Sequence, residues 1–171
     1  MKSCFLLIFC FVSTHLFAQI DYPTPESSFE RLFYIQRSNN RNTIIYDAVL
    51  THKKELATEN PISIYWITYE KGGIREELNF EQRKLAYGIS VTQIVKNYCE
   101  FNLIAYNKQK FVLELDTIGK PYVKIEINGK QMIVHRIFIS AKGLFKPKVK
   151  YIEFFGTYLN SNKAAYEKII P

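Results

Sequence analysis

The chain has 171 residues, 47% hydrophobic and 23% charged, with 23 Lys and Arg against 16 Asp and Glu for a formal charge of +7. These proportions are those of an ordinary folded domain and exclude a disordered chain, a collagen and a coiled coil. The 12 Tyr and 13 Phe favour strands, because aromatic side chains fit a pleated, half-buried surface, and the length predicts one domain.

Met1-Lys2 supplies a positive start, Phe5 to Val12 an apolar run, and Ala18 a small residue before Gln19. This is a secretory pattern, so residues 1–18 are expected to be a cleaved signal peptide and the protein to be periplasmic or extracellular. The apolar run is too short to cross a bilayer and no later segment exceeds it, which predicts no transmembrane segment. Phe9 stands where lipid attachment at Cys10 wants a small residue, which argues against an anchor there. Cleavage removes Cys4 and Cys10, so Cys99 is left alone and neither an internal disulfide nor a Cys-based zinc cluster can form. Cys99 alternates with Phe101, Leu103 and Ala105, which predicts a core position.

Residues 19–31, Pro- and Ser-containing, read as a linker, and 32–171 as a single β-rich domain. Leu32 to Arg37 is the first predicted strand, Ser38 to Asn42 a polar turn, Thr43 to Leu50 the second strand and Ile62 to Glu70 the third, ended by Gly72-Gly73. Asn79 and Gln82 have capping-box spacing and Gly88 a stop position, which predicts one short helix between them. Strands then follow over Tyr98–Tyr106, Phe111–Asp116, Tyr122–Ile127, Gln131–Ser140 and Lys148–Phe155. Asn128-Gly129 suits a type I′ turn, so its flanking strands should pair with Ile125 opposite Met132. The expectation is a mainly β fold, an antiparallel β-sandwich or barrel of about eight strands with one short helix.

Outside the leader the histidines are His52 and His135, with no zinc-binding spacing, no G-x-S-x-G elbow and no phosphate-binding glycine loop. No metal and no cofactor is therefore expected. Three segments carry more polar chemistry. Arg37, Asn39, Asn40, Arg41 and Asn42 cluster at one turn, where Arg and Asn offer donors and acceptors to carboxylate, phosphate or sugar hydroxyls. Trp66 alternates with Ile62 and Ile64, which favours core packing over a stacking platform. Gln82, Arg83 and Tyr87 lie on the short helix and can line a pocket mouth. Lys142, Lys146, Lys148 and Lys150 read first as protection of a sheet edge; their charge is too dispersed for nucleic acid but suits an anionic envelope polymer or glycan.

Several of these segments together carry a resemblance: Tyr34 to Thr43, Asn60-Pro61 to Trp66, Gln82 to Gly88, Ile127 to Lys130 and Tyr151 to Gly156. The chain resembles a secreted bacterial family catalogued as a domain of unknown function, number 4833, from about Leu32 to Pro171. The resemblance implies a single exported domain and brings no activity, cofactor or catalytic residue. The functional expectation therefore comes from the residues: a non-enzymatic envelope or periplasmic domain binding a ligand or partner through Arg37–Asn42 and the adjacent helix. The alternative is a hydrolase of an envelope polymer using His135 with Asp47 or Glu153.

Overall fold

The computed structural model describes residues 22–143, 148–161 and 163–171; the predicted leader and Lys146 lie outside them. The described chain forms β1 (Arg31–Arg37), β2 (Asn40–Ala48), β3 (Ile62–Thr68), β4 (Ile74–Glu77), β5 (Ile89–Val95), β6 (Tyr98–Leu103), β7 (Tyr106–Leu115), β8 (Pro121–Ile127), β9 (Lys130–Lys142), β10 (Lys148–Tyr158) and β11 (Ala164–Ile169). Between β4 and β5 a short helix begins as α1 (Phe80–Gln82) and runs on as a π-helical turn over Arg83–Tyr87. Among the described residues, no helix is long and apolar enough to cross a membrane.

All the strands join one curled sheet, a half-barrel organised around β9. β8 pairs with residues 130–133 of β9 and β1 with residues 136–139, so the two follow one another along the same edge. β10 pairs along 132–142 on the opposite edge and carries β11. Two wings therefore leave one edge of β9, β1-β2-β3-β4 and β8-β7-β6-β5, and curl toward each other. Their inner faces meet in a file of rings: Phe33 stacks on Tyr46 at 4.4 Å and on Phe111 at 5.7 Å, and Phe111 stacks on Phe101 at 5.3 Å. All four rings are fully buried, each contributing roughly 2–3 kcal/mol, and they hold the wings face to face.

The mainly β expectation holds, but the antiparallel eight-strand form does not. The sheet has 11 strands and is mixed, because β1 runs parallel to β9. Three strands escaped the pattern reading. In β4 the segment Ile-Arg-Glu-Glu is too polar to read as a strand, although Gly72 and Gly73 both take positive φ and form the turn that returns it against β3. In β5 the apolar residues fall on both faces, since this edge strand is largely exposed and bulged between Val91 and Gln93. In β11 the buried face carries a charged residue, Glu167, between Ala165 and Ile169. The expected strand Tyr98–Tyr106 also divides, with β6 turning into β7 at Ile104 and Ala105, where no Gly, Pro or Asn marks the turn.

Two local readings match the structure. Ile125 pairs with Met132 across the Asn128-Gly129 turn, both are buried, and Asn128 and Gly129 have φ of 53° and 74°. The capping box is complete: the Asn79 side chain accepts from the Gln82 N–H, and the Gln82 side chain accepts from the Asn79 N–H. Gly88 ends the helix, but not through a left-handed conformation. A Cβ there would lie 2.0 Å from the Arg83 carbonyl oxygen, so close approach is what demands glycine.

Candidate functional site

Along β2 the inner face of the first wing is apolar at Ile44 and becomes polar toward the β1–β2 turn. On β2 the buried Ile44 is followed outward by Asn42 and Asn40, two residues apart along the strand and hence on one face. Ile44 faces Trp66 on β3, and Trp66 faces Glu76 on β4. With the helix closing one side, this end of the wing forms an open groove of about 410 Å3 lined by Arg37, Asn40, Asn42, Trp66, Thr68, Lys71, Glu76, Glu77, Asn79 and Gln82.

The turn is anchored from behind, which leaves its polar side chains for the groove. The Ser38 N–H donates to the Ile139 carbonyl, and the Ser38 hydroxyl both donates to the Ala141 carbonyl and accepts from the Ala141 N–H. Buried Gln36 donates to the Pro23 carbonyl at 2.8 Å and to the Thr43 hydroxyl at 3.3 Å. Arg37 makes no ion pair among the described residues. Its guanidinium carbon instead lies 5.4 Å from the centre of the Trp66 ring and 5.1 Å from that of Tyr87. Tyr87 meets Trp66 edge to face at 5.1 Å, and its carbonyl accepts from the Tyr46 hydroxyl at 2.8 Å, tying the helix to the core. Burial pushes the Tyr87 phenol above its ordinary pKa, with the nearby Arg37 pulling it back in part.

Three buried polar atoms along this groove have no hydrogen-bond partner: Nε of Arg37, Oδ1 of Asn42 and Nε1 of Trp66. The only other such atom among the described residues is Nε of Arg136, which sits beside the rings of Phe138 and Phe155. A buried unpartnered donor or acceptor costs about 1–3 kcal/mol, and three of the four among the described residues belong to residues that line this groove. The other groups lining the groove are engaged. Lys71 pairs with Glu76 at 2.7 Å, Glu77 receives both Arg75 and Arg83, and the Asn40 side chain accepts from the Asn42 N–H.

Of the residues singled out by sequence, Arg37, Asn40, Asn42 and Gln82 line the groove and Tyr87 supports Arg37 from below. Arg83 stands at the rim, held by Glu77 and by the Leu78 carbonyl. Asn39 and Arg41 are exposed and do not line it. Trp66 is in the core as expected, 7% exposed, and its residual edge lines the groove while its indole N–H stays buried without a partner. Glu76 and Glu77 enter the groove with β4, which the pattern does not reveal and whose available signal is the Gly72-Gly73 pair; Thr68 lies on the expected third strand.

His135 lines a different recess, with Arg31, Asp116, Lys120 and Tyr122, and desolvation together with Lys120 lowers its pKa. Asp47 is closed by Arg31 at 2.5 Å and by the Tyr65 hydroxyl at 2.7 Å. Glu153 accepts from the Tyr166 hydroxyl at 2.8 Å and lies 3.6 Å from Lys168. Among the described residues no hydrogen bond joins His135 to either acid. Cys99 is buried, and that burial, reinforced by Glu100, pushes its thiol up to about 11. Of the basic stretch, Lys142 faces Lys148 across β9 and β10, and Lys148 and Lys150 lie beyond the Ile152–Ile169 pair where β11 ends, along an uncovered length of β10.

The family described as Domain of unknown function (DUF4833) matches residues 33–168 of the chain. No curated protein and no solved structure matches it.

Proposed function

The chain belongs to the DUF4833 family, and from that premise we propose that it is an exported, non-enzymatic binding domain whose groove takes an anionic or hydroxyl-rich ligand of the cell envelope. The observation that carries this reading is Arg37, which lines the groove beside Asn40 and Asn42 and closes no ion pair among the described residues. A guanidinium without an acid partner, beside two side-chain amides, suits an anionic or hydroxyl-rich ligand. The turn behind the groove is pinned to β9 through Ser38, which limits the backbone freedom that binding a ligand has to remove. Export is proposed from the leader-like pattern of Lys2, Phe5–Val12 and Ala18.

Co-sedimentation with envelope fractions tests the reading. The protein should sediment with a saturable component of those fractions. The Arg37→Ala, Asn40→Ala double variant should lose that binding while keeping its folded circular dichroism spectrum. Binding that survives the double substitution, in a folded variant, would overturn the assignment.

A further inference from the structure

We infer that an apolar cavity beside the groove takes a short unbranched aliphatic chain whose carboxylate meets Arg37; this rests on Arg37 being a binding group of the groove. The cavity has a volume of about 80 Å3, and its walls come from β1, β6, β7, β9, β10 and the short helix. Its floor is the buried surface of Phe111, Ile137 and Phe154. Its entrance lies between Ala86 on the helix, Ala105 at the β6–β7 turn and Val149 on β10, of which Val149 is 43% exposed. Of its described lining side chains, Tyr87 and Tyr106 alone carry a polar atom. A water molecule needs about two to four polar partners, so the cavity suits hydrocarbon instead. A cavity of roughly 150 Å3 admits a benzene ring. This one has about half that volume, which favours a few methylene groups in a chain over a ring.

The register of β1 on β9 brings a cation to this hydrocarbon site. Ile35 pairs with Ile137 and Arg37 with Ile139, and all three isoleucines line the cavity. Arg37, two residues from Ile35 along β1, is therefore the next residue beyond that lining, with its backbone about 5 Å from that of Ile139. Its guanidinium carbon lies 5.1 Å from the centre of the Tyr87 ring, and Tyr87 belongs to the lining as well. Arg37 thus borders the cavity on one side and lines the groove on the other, with no acid paired to it among the described residues. A guanidinium fork matches the two coplanar oxygens of a carboxylate. A small hydrocarbon site next to a single arginine calls for a ligand in which the carboxylate follows a short chain directly. The chain then fills the cavity while the carboxylate stays in the groove.

The experiment is a titration followed by backbone-amide NMR, with hexanoate, acetate, benzoate and hexanol as probes. Hexanoate should bind saturably and shift the amides of Ala86, Ile137 and Phe154, which belong to the cavity. It should bind about tenfold or more tightly than each of the others, because acetate lacks the chain, benzoate replaces it with a ring and hexanol lacks the charge. Arg37→Gln should weaken hexanoate by about tenfold or more and leave hexanol unchanged. Ala86→Leu, which narrows the entrance, should weaken both. If either variant does not fold, the comparison of the four probes on the unaltered protein still decides. Equal binding of hexanoate and acetate or of hexanoate and hexanol, a preference for benzoate, or shifts confined to residues outside the cavity overturns the inference. So does the absence of any response, or hexanoate binding that survives either substitution unchanged in a folded variant. The groove's role as a binding site fails separately, when envelope binding is indifferent to the Arg37 and Asn40 substitutions.

Discussion

The guanidinium of Arg37 rests over the ring of Trp66, 5.4 Å from its centre, and each residue leaves one buried N–H without a partner. Arg37 ends β1 and Trp66 lies on β3, so the contact reaches across β2 and joins the polar turn to the core. A stacked arginine of this kind contributes about 0.5–2 kcal/mol and orders its own donor fork.

Substitution of Arg37 by Ala should lower stability by only about 0.5–1 kcal/mol, since the residue closes no ion pair. It should also open the indole to water. The emission maximum of Trp66 should therefore move to longer wavelength in the folded variant, measured below the unfolding transition. An unchanged emission spectrum would contradict the stacked arrangement.

Export and processing are checked by mass. The mature protein isolated from its native host should begin at Gln19, in open or cyclised form. Finding Met1 intact, or a lipid on Cys10, would remove the exported reading and leave the groove's chemistry unaffected.

The β8–β9 hairpin depends on backbone conformation alone at Gly129. Its φ is 74°, and a Cβ there would meet nothing within 4 Å, so no clash contributes. Gly129→Val should cost about 1 kcal/mol or more, because a β-branched residue resists positive φ. The denaturation midpoint measures it, and Gly129→Asn should recover part of the loss.

Glu167 should make stability depend on pH at the acid end. Although buried, it accepts from Lys130 at 2.7 Å, from Asn128 at 3.0 Å and from the Tyr158 hydroxyl at 3.2 Å, which fastens β11 to the β8–β9 turn. Hydrogen bonds from Lys130 first and Asn128 next hold its carboxyl below the ordinary 4.5. The stabilisation is complete above that unfolded value and is lost as pH falls through the lower folded value. The same contact raises Lys130, so on the alkaline side its contribution is complete below the ordinary lysine value of 10.5 and fades above it. Glu167→Gln should flatten the acid limb of a stability profile, and Glu167→Ala should cost about 2 kcal/mol at neutral pH.

Short-range chemistry was legible in the residues themselves. Asn128-Gly129 specified its turn, Asn79 and Gln82 their reciprocal cap, and the alternation around Cys99 and Val123 its buried faces, because each depends on neighbours within a few positions. The grouping of Arg37, Asn40 and Asn42 at one turn was also visible, and so was the short helix that ends up beside it. What no local pattern could show was β1 lying parallel to β9, about a hundred residues away, since that pairing depends on the length of one β9 edge left free once β8 departs. That same choice curls the two wings together and brings β3, β4 and the helix around the turn, so that Arg37, Asn40 and Asn42 line a groove. Trp66 makes the point most clearly. Its spacing marks it as core, and only the approach of Arg37 and Tyr87 makes its edge part of a groove, because a groove is a relation between strands and not a property of any one of them.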